Sequence, residues 1–313
     1  MNVLFTFPLK DELKQPLIER FPELNFTFSP IEDATVERAS VIVTYGEDIT
    51  EETLERAKQL QWIMVASAGV DKMPMKEMKK RKIPMANVSG IHKTPMAEAV
   101  LAHLLAQARA LPTIYERQQK KEWNKKIHST ELRGKTALIL GPGAIGQEIG
   151  RLLQAFGVQT IGCNYSGEKR PYMDNTISFK QLDDHIHEAD FFISVVPSTK
   201  ETRGMITKDH FKKMKETAYF LNFGRGDLVK EQDIVWALEN KEVARVILDV
   251  YEEEPLPKTS PLWSLEGCTV SPHVSSFSGK YLERSMPIIE ENLSRYLQGR
   301  NDFVNKIDLT KEY

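Results

Sequence analysis

Hydrophobic and polar positions along this chain follow two periods that take turns. Compact apolar, β-branched or aromatic runs at 3–7, 24–28, 40–45, 62–66 and 83–88 have the length and composition of buried strands. Between most of them, segments at 9–20, 50–58 and 73–81 carry helical spacing. Strand and helix alternating with short connections predict a parallel sheet covered on both faces.

A long apolar segment follows, 96–111, with Thr94 placed as N-cap and Pro95 at the first helical position. A polar, tryptophan-bearing stretch at 115–129 then leads into a second set of alternating elements. Its strands are expected at 136–140, 158–163, 190–196, 217–222, 244–249 and 268–271, the six that a complete dinucleotide fold needs. The last segment, 280–298, aligns Leu282, Met286, Ile289, Leu293 and Leu297 on one face. That stripe is expected to pack back on the first unit, because the ends of a chain carrying an inserted domain tend to lie close together. The fold class is therefore α/β with two doubly wound parallel-sheet domains. The expected division is 1–95, 96–276 and a returning helix over 277–313.

Bulk properties narrow the partners. A length of 313 residues suffices for two domains, and a formal net charge of −2 gives no reason to expect nucleic acid or an anionic membrane. The basic runs at 76–82 and 120–126 read as solvated helix faces. Cys163 and Cys268 lie far from any metal-ligand spacing and read as reduced thiols, which fits a cytoplasmic protein without a bound metal. No signal peptide is expected, and the 96–111 helix, broken by Glu98, His103, Gln107 and Arg109, is too short and polar to span a bilayer.

The chemistry begins at Gly141-Pro-Gly143-Ala144-Ile145-Gly146, which joins the apolar run 136–140 to an amphipathic segment at 145–156. Strand, glycine turn and helix form the setting of a dinucleotide fingerprint. The first glycine permits the tight turn, the second lets backbone approach a pyrophosphate, and the third lets helix and strand pack closely. Unpaired N–H groups at the helix N-terminus, over Ala144 and Ile145, then face the anion. The next strand ends in Asn164, where an NAD-binding fold usually places an acid on the ribose 2′-hydroxyl. A neutral residue there, followed by Ser166, Lys169 and Arg170, is the change a 2′-phosphate requires. NADP(H) is therefore favoured, with NAD(H) the alternative. An ordinary polar turn would also use these residue types.

Three later strands deliver chemistry to one edge. Arg225 follows the run 217–221, an acid of the run Glu252-Glu253-Glu254 follows the strand that ends near Asp249, and His273 follows 268–271. In a doubly wound sheet the carboxyl ends of the strands line the ligand crevice. Arg225 can pair with a carboxylate, His273 can move a proton, and the acid can fix the tautomer of the imidazole and favour its charged form.

Gly141-x-Gly-x-x-Gly146, Asn222-x-Gly-Arg225-Gly, Asp249-Val-x-x-x-Glu254-Pro255 and Ser271-Pro-His273, in this order, resemble the D-isomer-specific 2-hydroxyacid dehydrogenase family. Ser67-Ala-Gly69-Val-Asp71 and Ala97-Glu98 also fit its pattern. The resemblance implies a Rossmann dinucleotide-binding domain inserted in a flavodoxin-like substrate domain. It implies reduction of a small 2-keto acid, of the glyoxylate or hydroxypyruvate kind, to the D-2-hydroxy acid. Arg225 would bind the substrate carboxylate and carbonyl, His273 would donate the proton with Glu254 as its partner, and the Ala68-Gly69 loop would cradle the carboxylate. Val196, Pro197, Thr202, Phe223, Gly224, Asp249 and Ser275 match positions that touch the dinucleotide. A homodimer joined around the long helix after Thr94 is implied as well. Asn164 departs from the NAD-type pattern, and Phe223 stands where small residues are common, so it is expected to narrow the nicotinamide side.

A dinucleotide-sensing protein that keeps this fold without turnover is the alternative, and the intact Arg225, Glu254 and His273 set argues against it. A formate-type dehydrogenase would carry Gln in place of Glu254. His185 and His187 sit two apart, so on a helix they point to different sides and make a poor metal pair. Met73, Met75, Met78 and Met85 read as core filling, and Cys163 as a small core residue. Trp123 is a candidate either to reach a neighbouring subunit's site or to pack locally.

Overall fold

The structure is a computed structural model that describes residues 1–309 apart from Ala68 and Asp71. Its chain divides into two compact units, Met1–His92 together with the stretch from Ser278 onward, and Lys93–Phe277.

The first unit is built on a five-stranded parallel sheet: β1 (Asn2–Phe5), β2 (Asn25–Phe28), β3 (Val41–Thr44), β4 (Trp62–Val65) and β5 (Met85–Asn87), in spatial order β2-β1-β3-β4-β5. This is the flavodoxin-like order. β3 and β4 are buried at every position, as expected of central strands covered by helices on both faces. One face packs Val3, Phe5, Val41, Val43, Trp62 and Met64 against Met286, Ile289 and Leu293 of the returning helix Tyr281–Leu297. The expected stripe is thus a core face of the first unit. On the other face Met73, Met78 and Met85 are buried among Leu4, Ile42 and Ile63, and Met75 packs against them.

The second unit carries seven parallel strands: β6 (Thr136–Leu140), β7 (Gln159–Asn164), β8 (Asn175–Ser178), β9 (Phe191–Ser194), β10 (Tyr219–Asn222), β11 (Arg245–Leu248) and β12 (Cys268–Val270). Their order is β12-β11-β10-β9-β6-β7-β8, so the winding reverses between β6 and β9. The pattern reading had six strands here. The seventh, β8, is a polar edge segment in which only Ile177 is buried, and a one-sided strand of four residues leaves almost no periodic signal.

Two local expectations also change. The long helix runs over Lys93–Ala108, so Thr94 lies inside its first turn rather than capping it. A second helix, Leu111–Gln119, occupies part of the predicted polar connection after Ala110 takes a left-handed conformation at φ 53°. Asp33–Arg38 is a short helix that the apolar pattern did not mark.

Candidate active site

The reversal of winding puts the glycine turn at the carboxyl end of β6, beside the end of β9. Gly141 has φ +94°, and a Cβ there would meet the Val196 side chain and the backbone just before it. A Cβ on Gly146 would collide with the Gly141 carbonyl oxygen, so only glycine allows the helix Ala144–Ala155 to start so close to its own strand. Gly143 is different: nothing stands within 4 Å of where its Cβ would be, and it and Ala144 are exposed. The helix has no side-chain cap and no acid in its first turn. Open backbone and uncapped N–H groups form a cradle suited to an anion. The residues present fit a bound pyrophosphate.

At the end of β7, Asn164 organises the turn that follows it. Its Oδ1 accepts from Ser166 N at 3.1 Å and from Gly167 N at 2.7 Å, while its Nδ2 donates to the Glu168 carbonyl at 2.8 Å. Ser166, Lys169 and Arg170 are exposed around it, and Arg170 pairs with Glu168 at 3.3 Å. Glu168 is an acid in the same loop that the pattern reading passed over. Cys163, next in line, is fully buried, and burial pushes its thiol up to about 12.

After β9, Val196 packs on the glycine turn and Pro197 is exposed. Thr202 is turned inward: its hydroxyl donates to the Pro197 carbonyl at 2.7 Å and accepts from Thr199 N at 2.8 Å. It therefore shapes the loop beside the turn. Ser198 and Arg203 carry that loop across to Asp227, at 2.5 and 3.4 Å.

The Asn222 side chain closes the turn after β10, donating to the Arg225 carbonyl at 2.9 Å and accepting from Gly224 N at 3.1 Å. Arg225 leaves this turn half-buried, with Nη1 on the Gly224 carbonyl at 2.9 Å. Gly226 lies directly on the Tyr251 carbonyl, where any side chain would overlap it, and this brings the arginine turn against the end of β11. Phe223, just after β10, is buried. Its ring packs 5.7 Å from that of His103 in the core under the strand ends. Burial holds the His103 imidazole below its ordinary value, and nearby Asp249 partly offsets this.

His273 and Glu254 meet at 2.7 Å, Nδ1 to Oε2. The other Glu254 oxygen accepts from Tyr251 N at 3.1 Å, so the carboxylate is held at both ends. His273 itself sits in a left-handed conformation, φ 53°, which a non-glycine residue adopts only when its surroundings impose it. Those surroundings are Asp249 and Tyr251. Asp249 is fully buried and accepts from Ser271 Oγ at 2.6 Å, Val274 N at 3.0 Å and Ser275 N at 3.0 Å. The Tyr251 hydroxyl binds both backbone groups of Ser271, at 2.8 and 3.0 Å. Asp249 and Ser275, expected at the dinucleotide, are thus paired with each other in a clamp on the histidine loop. Tyr251 was missed, because hydrogen bonds between a phenol and distant backbone leave no local pattern.

Glycine turn, Arg225, Glu254 and His273 therefore share the carboxyl edge of one sheet. That edge is characteristic: residues 101–275 match the family described as D-isomer specific 2-hydroxyacid dehydrogenase, NAD binding domain. The chain belongs to the D-isomer specific 2-hydroxyacid dehydrogenase family. Its second unit is accordingly a nicotinamide dinucleotide-binding domain. A glyoxylate reductase/hydroxypyruvate reductase of Mus musculus is 32% identical over 86% of this chain and 84% of its own. A D-3-phosphoglycerate dehydrogenase of Methanocaldococcus jannaschii is 28% identical over all of this chain, which spans only 61% of that relative. A crystal structure of a family member from Aeromonas salmonicida superposes with a TM-score of 0.88 at 30% identity, covering 98% of this chain and 99% of the other.

The remaining residues singled out by sequence fall elsewhere. Gly69 is in the first unit, after β4, and Ala68 lies outside the described residues. His185 pairs with Glu188 at 2.6 Å. Trp123 is 93% exposed and so does not pack within its own chain. No helix among the described residues is long and apolar enough to cross a membrane.

Proposed function

We propose that this dehydrogenase reduces a small 2-keto acid, of the glyoxylate or hydroxypyruvate kind, to the D-2-hydroxy acid, with His273 as proton donor. The observation that carries the reading is the His273–Glu254 pair at 2.7 Å on the sheet edge that also bears Arg225 and the glycine turn. A carboxylate only accepts hydrogen bonds, so Nδ1 carries the proton facing Glu254 and Nε2 is left to serve the substrate. The side chain of His273 is 45% exposed, which an acid acting on a diffusing substrate requires.

The nicotinamide, when bound, supplies the hydride. The glycine turn, with Ala144, Ile145 and the Val196–Pro197 stretch, would hold its pyrophosphate side, and Ser166, Lys169 and Arg170 would meet a ribose 2′-phosphate. NADP(H) is accordingly favoured over NAD(H). Arg225 would pair with the substrate carboxylate and support the charge that develops on the carbonyl oxygen, and protonated His273 would neutralise it. The Ala68-Gly69 loop would offer its backbone N–H groups to the same carboxylate. The name of the mouse relative supports this substrate class. Exposed Ile114, Tyr115 and Trp123, on and after the helix Leu111–Gln119, support a homodimer formed through that segment.

Steady-state kinetics with glyoxylate, hydroxypyruvate, pyruvate and longer 2-keto acids, each with NADPH and NADH, test the reading. Saturable reduction of a short 2-keto acid, giving the D product, is the expected result. Absence of turnover with every acid and both cofactors would overturn it.

A further inference from the structure

We propose that Tyr281 is a positioning residue for the loop after β4, the loop assigned above to the substrate carboxylate. The inference rests on that assignment and adds to it the element that would hold the loop in shape. Tyr281 opens the returning helix, and its hydroxyl donates to the Ala66 carbonyl at 2.6 Å, immediately before Ser67. Burial pushes the phenol up to about 12, so it remains a donor throughout the range in which a dehydrogenase works.

The ring is fixed as firmly as the hydroxyl. The His92 ring packs 5.3 Å from it and that of Tyr45 at 6.2 Å, and Tyr45 is in turn stacked on Phe7 at 4.2 Å. These four rings come from the segments after β1, β3 and β5 and from the returning helix, at the carboxyl edge of the sheet in which β4 also ends. A run of rings of this kind leaves Tyr281 little rotational freedom, and its hydroxyl meets the Ala66 carbonyl without reorganisation. The Ala66 amide already donates to the Thr44 carbonyl at 2.6 Å. With Tyr281 in place, Ala66 is held through both of its backbone groups, one from the sheet and one from the helix. The peptide units that follow then start from a defined position.

This gives the helix at the chain's end a purpose beyond covering the sheet. Tyr281 also stands only a short way along the chain from His273, so one segment carries the proposed proton donor and the anchor of the carboxylate loop.

Tyr281→Phe keeps the ring and removes the hydroxyl. Relative to wild type, KM for the preferred 2-keto acid should rise about tenfold, the scale of one lost hydrogen bond, with kcat within about twofold. NADPH and NADH affinities, measured by nucleotide fluorescence, and the pH profile of kcat should not move. Tyr281→Leu, which also removes the ring, should raise KM further. Unchanged KM in Tyr281→Phe, or a loss shared equally by kcat and cofactor affinity, would overturn the inference while leaving the keto-acid reading intact. A wild-type protein that turns over no 2-keto acid would remove both.

Discussion

The imidazole Nδ1 of His273 lies 2.7 Å from Oε2 of Glu254, and the second oxygen of that carboxylate is tied to the Tyr251 amide. The pair is therefore aimed before any substrate arrives, by a residue from each of two neighbouring strand ends. Of the three consecutive glutamates at 252–254, only Glu254 serves this purpose. Glu252 instead accepts from Glu231 N at 2.6 Å, capping the helix Glu231–Glu239.

The first prediction follows from the division of labour in that pair. His273→Gln should retain dinucleotide binding and lose roughly 10²–10⁴-fold in kcat, the usual worth of a positioned general acid. Glu254→Gln leaves an acceptor for Nδ1 but removes the charge, and its loss should be smaller, about 10–100-fold. Single-turnover reduction and nucleotide binding measured together check both. Near-normal turnover in His273→Gln would remove that residue from the mechanism.

Cofactor preference turns on Asn164. Asn164→Asp preserves the oxygen that accepts from Ser166 N and Gly167 N and loses only the donor to Glu168. The turn should persist with a carboxylate where a 2′-phosphate would lie. The ratio of kcat/KM for NADPH to that for NADH should fall at least about tenfold, because like charges repel and the acid can accept from a ribose hydroxyl. A wild-type protein that already prefers NADH strongly would show that Asn164 is simply a turn residue.

The thiols offer a test independent of catalysis. Burial pushes Cys163 and Cys268 each up to about 12, far above the ordinary thiol value, and the reactive form is the thiolate. At pH 8 the native protein should react with neither Ellman's reagent nor iodoacetamide over minutes, and both cysteines should titrate at once in guanidinium. Rapid labelling of the native protein would contradict the full burial of Cys163 in β7 and the partial burial of Cys268 in β12.

What the sequence made legible is what is local. The glycine turn is readable because its three requirements, positive φ at Gly141, open space at Gly143 and close packing at Gly146, fall within six consecutive residues. Arg225, Glu254 and His273 could be put on one edge because each follows an apolar run and parallel strands share a direction. β8 stayed hidden because an edge strand with one buried side chain carries no alternation. The clamp of Asp249 and Tyr251 on the His273 loop stayed hidden for another reason. Its hydrogen bonds join residues about twenty positions apart, and half of their partners are backbone groups that every residue possesses. Asp249 could be picked out by its place at the end of β11, but its full burial and its bonds to the His273 loop could not.

The same kind of distant bonding makes Asp190 a test of the second unit's stability. It stands just before β9 and accepts from Thr136 N, at the start of β6, at 2.9 Å, while Lys215 and Lys135 pair with it at 3.2 and 3.3 Å. Burial alone would raise its value, but the Thr136 amide and the two lysines overcome this and hold the carboxyl below the ordinary carboxylate range. A group depressed in the folded state stabilises the fold above its unfolded value, and that contribution is lost as the pH falls through the folded value. At pH 7 Asp190→Asn should therefore cost about 1–3 kcal/mol, the scale of a hydrogen bond to a charged group. As the pH falls through the depressed folded value, wild type and variant should converge, because the wild-type carboxyl is then protonated as well. Urea unfolding at pH 7 and at the acid end of a descending pH series checks the sign. An equal gap at both values would mean that the Thr136 hydrogen bond, rather than the charge, joins β6 to β9 at this end of the sheet.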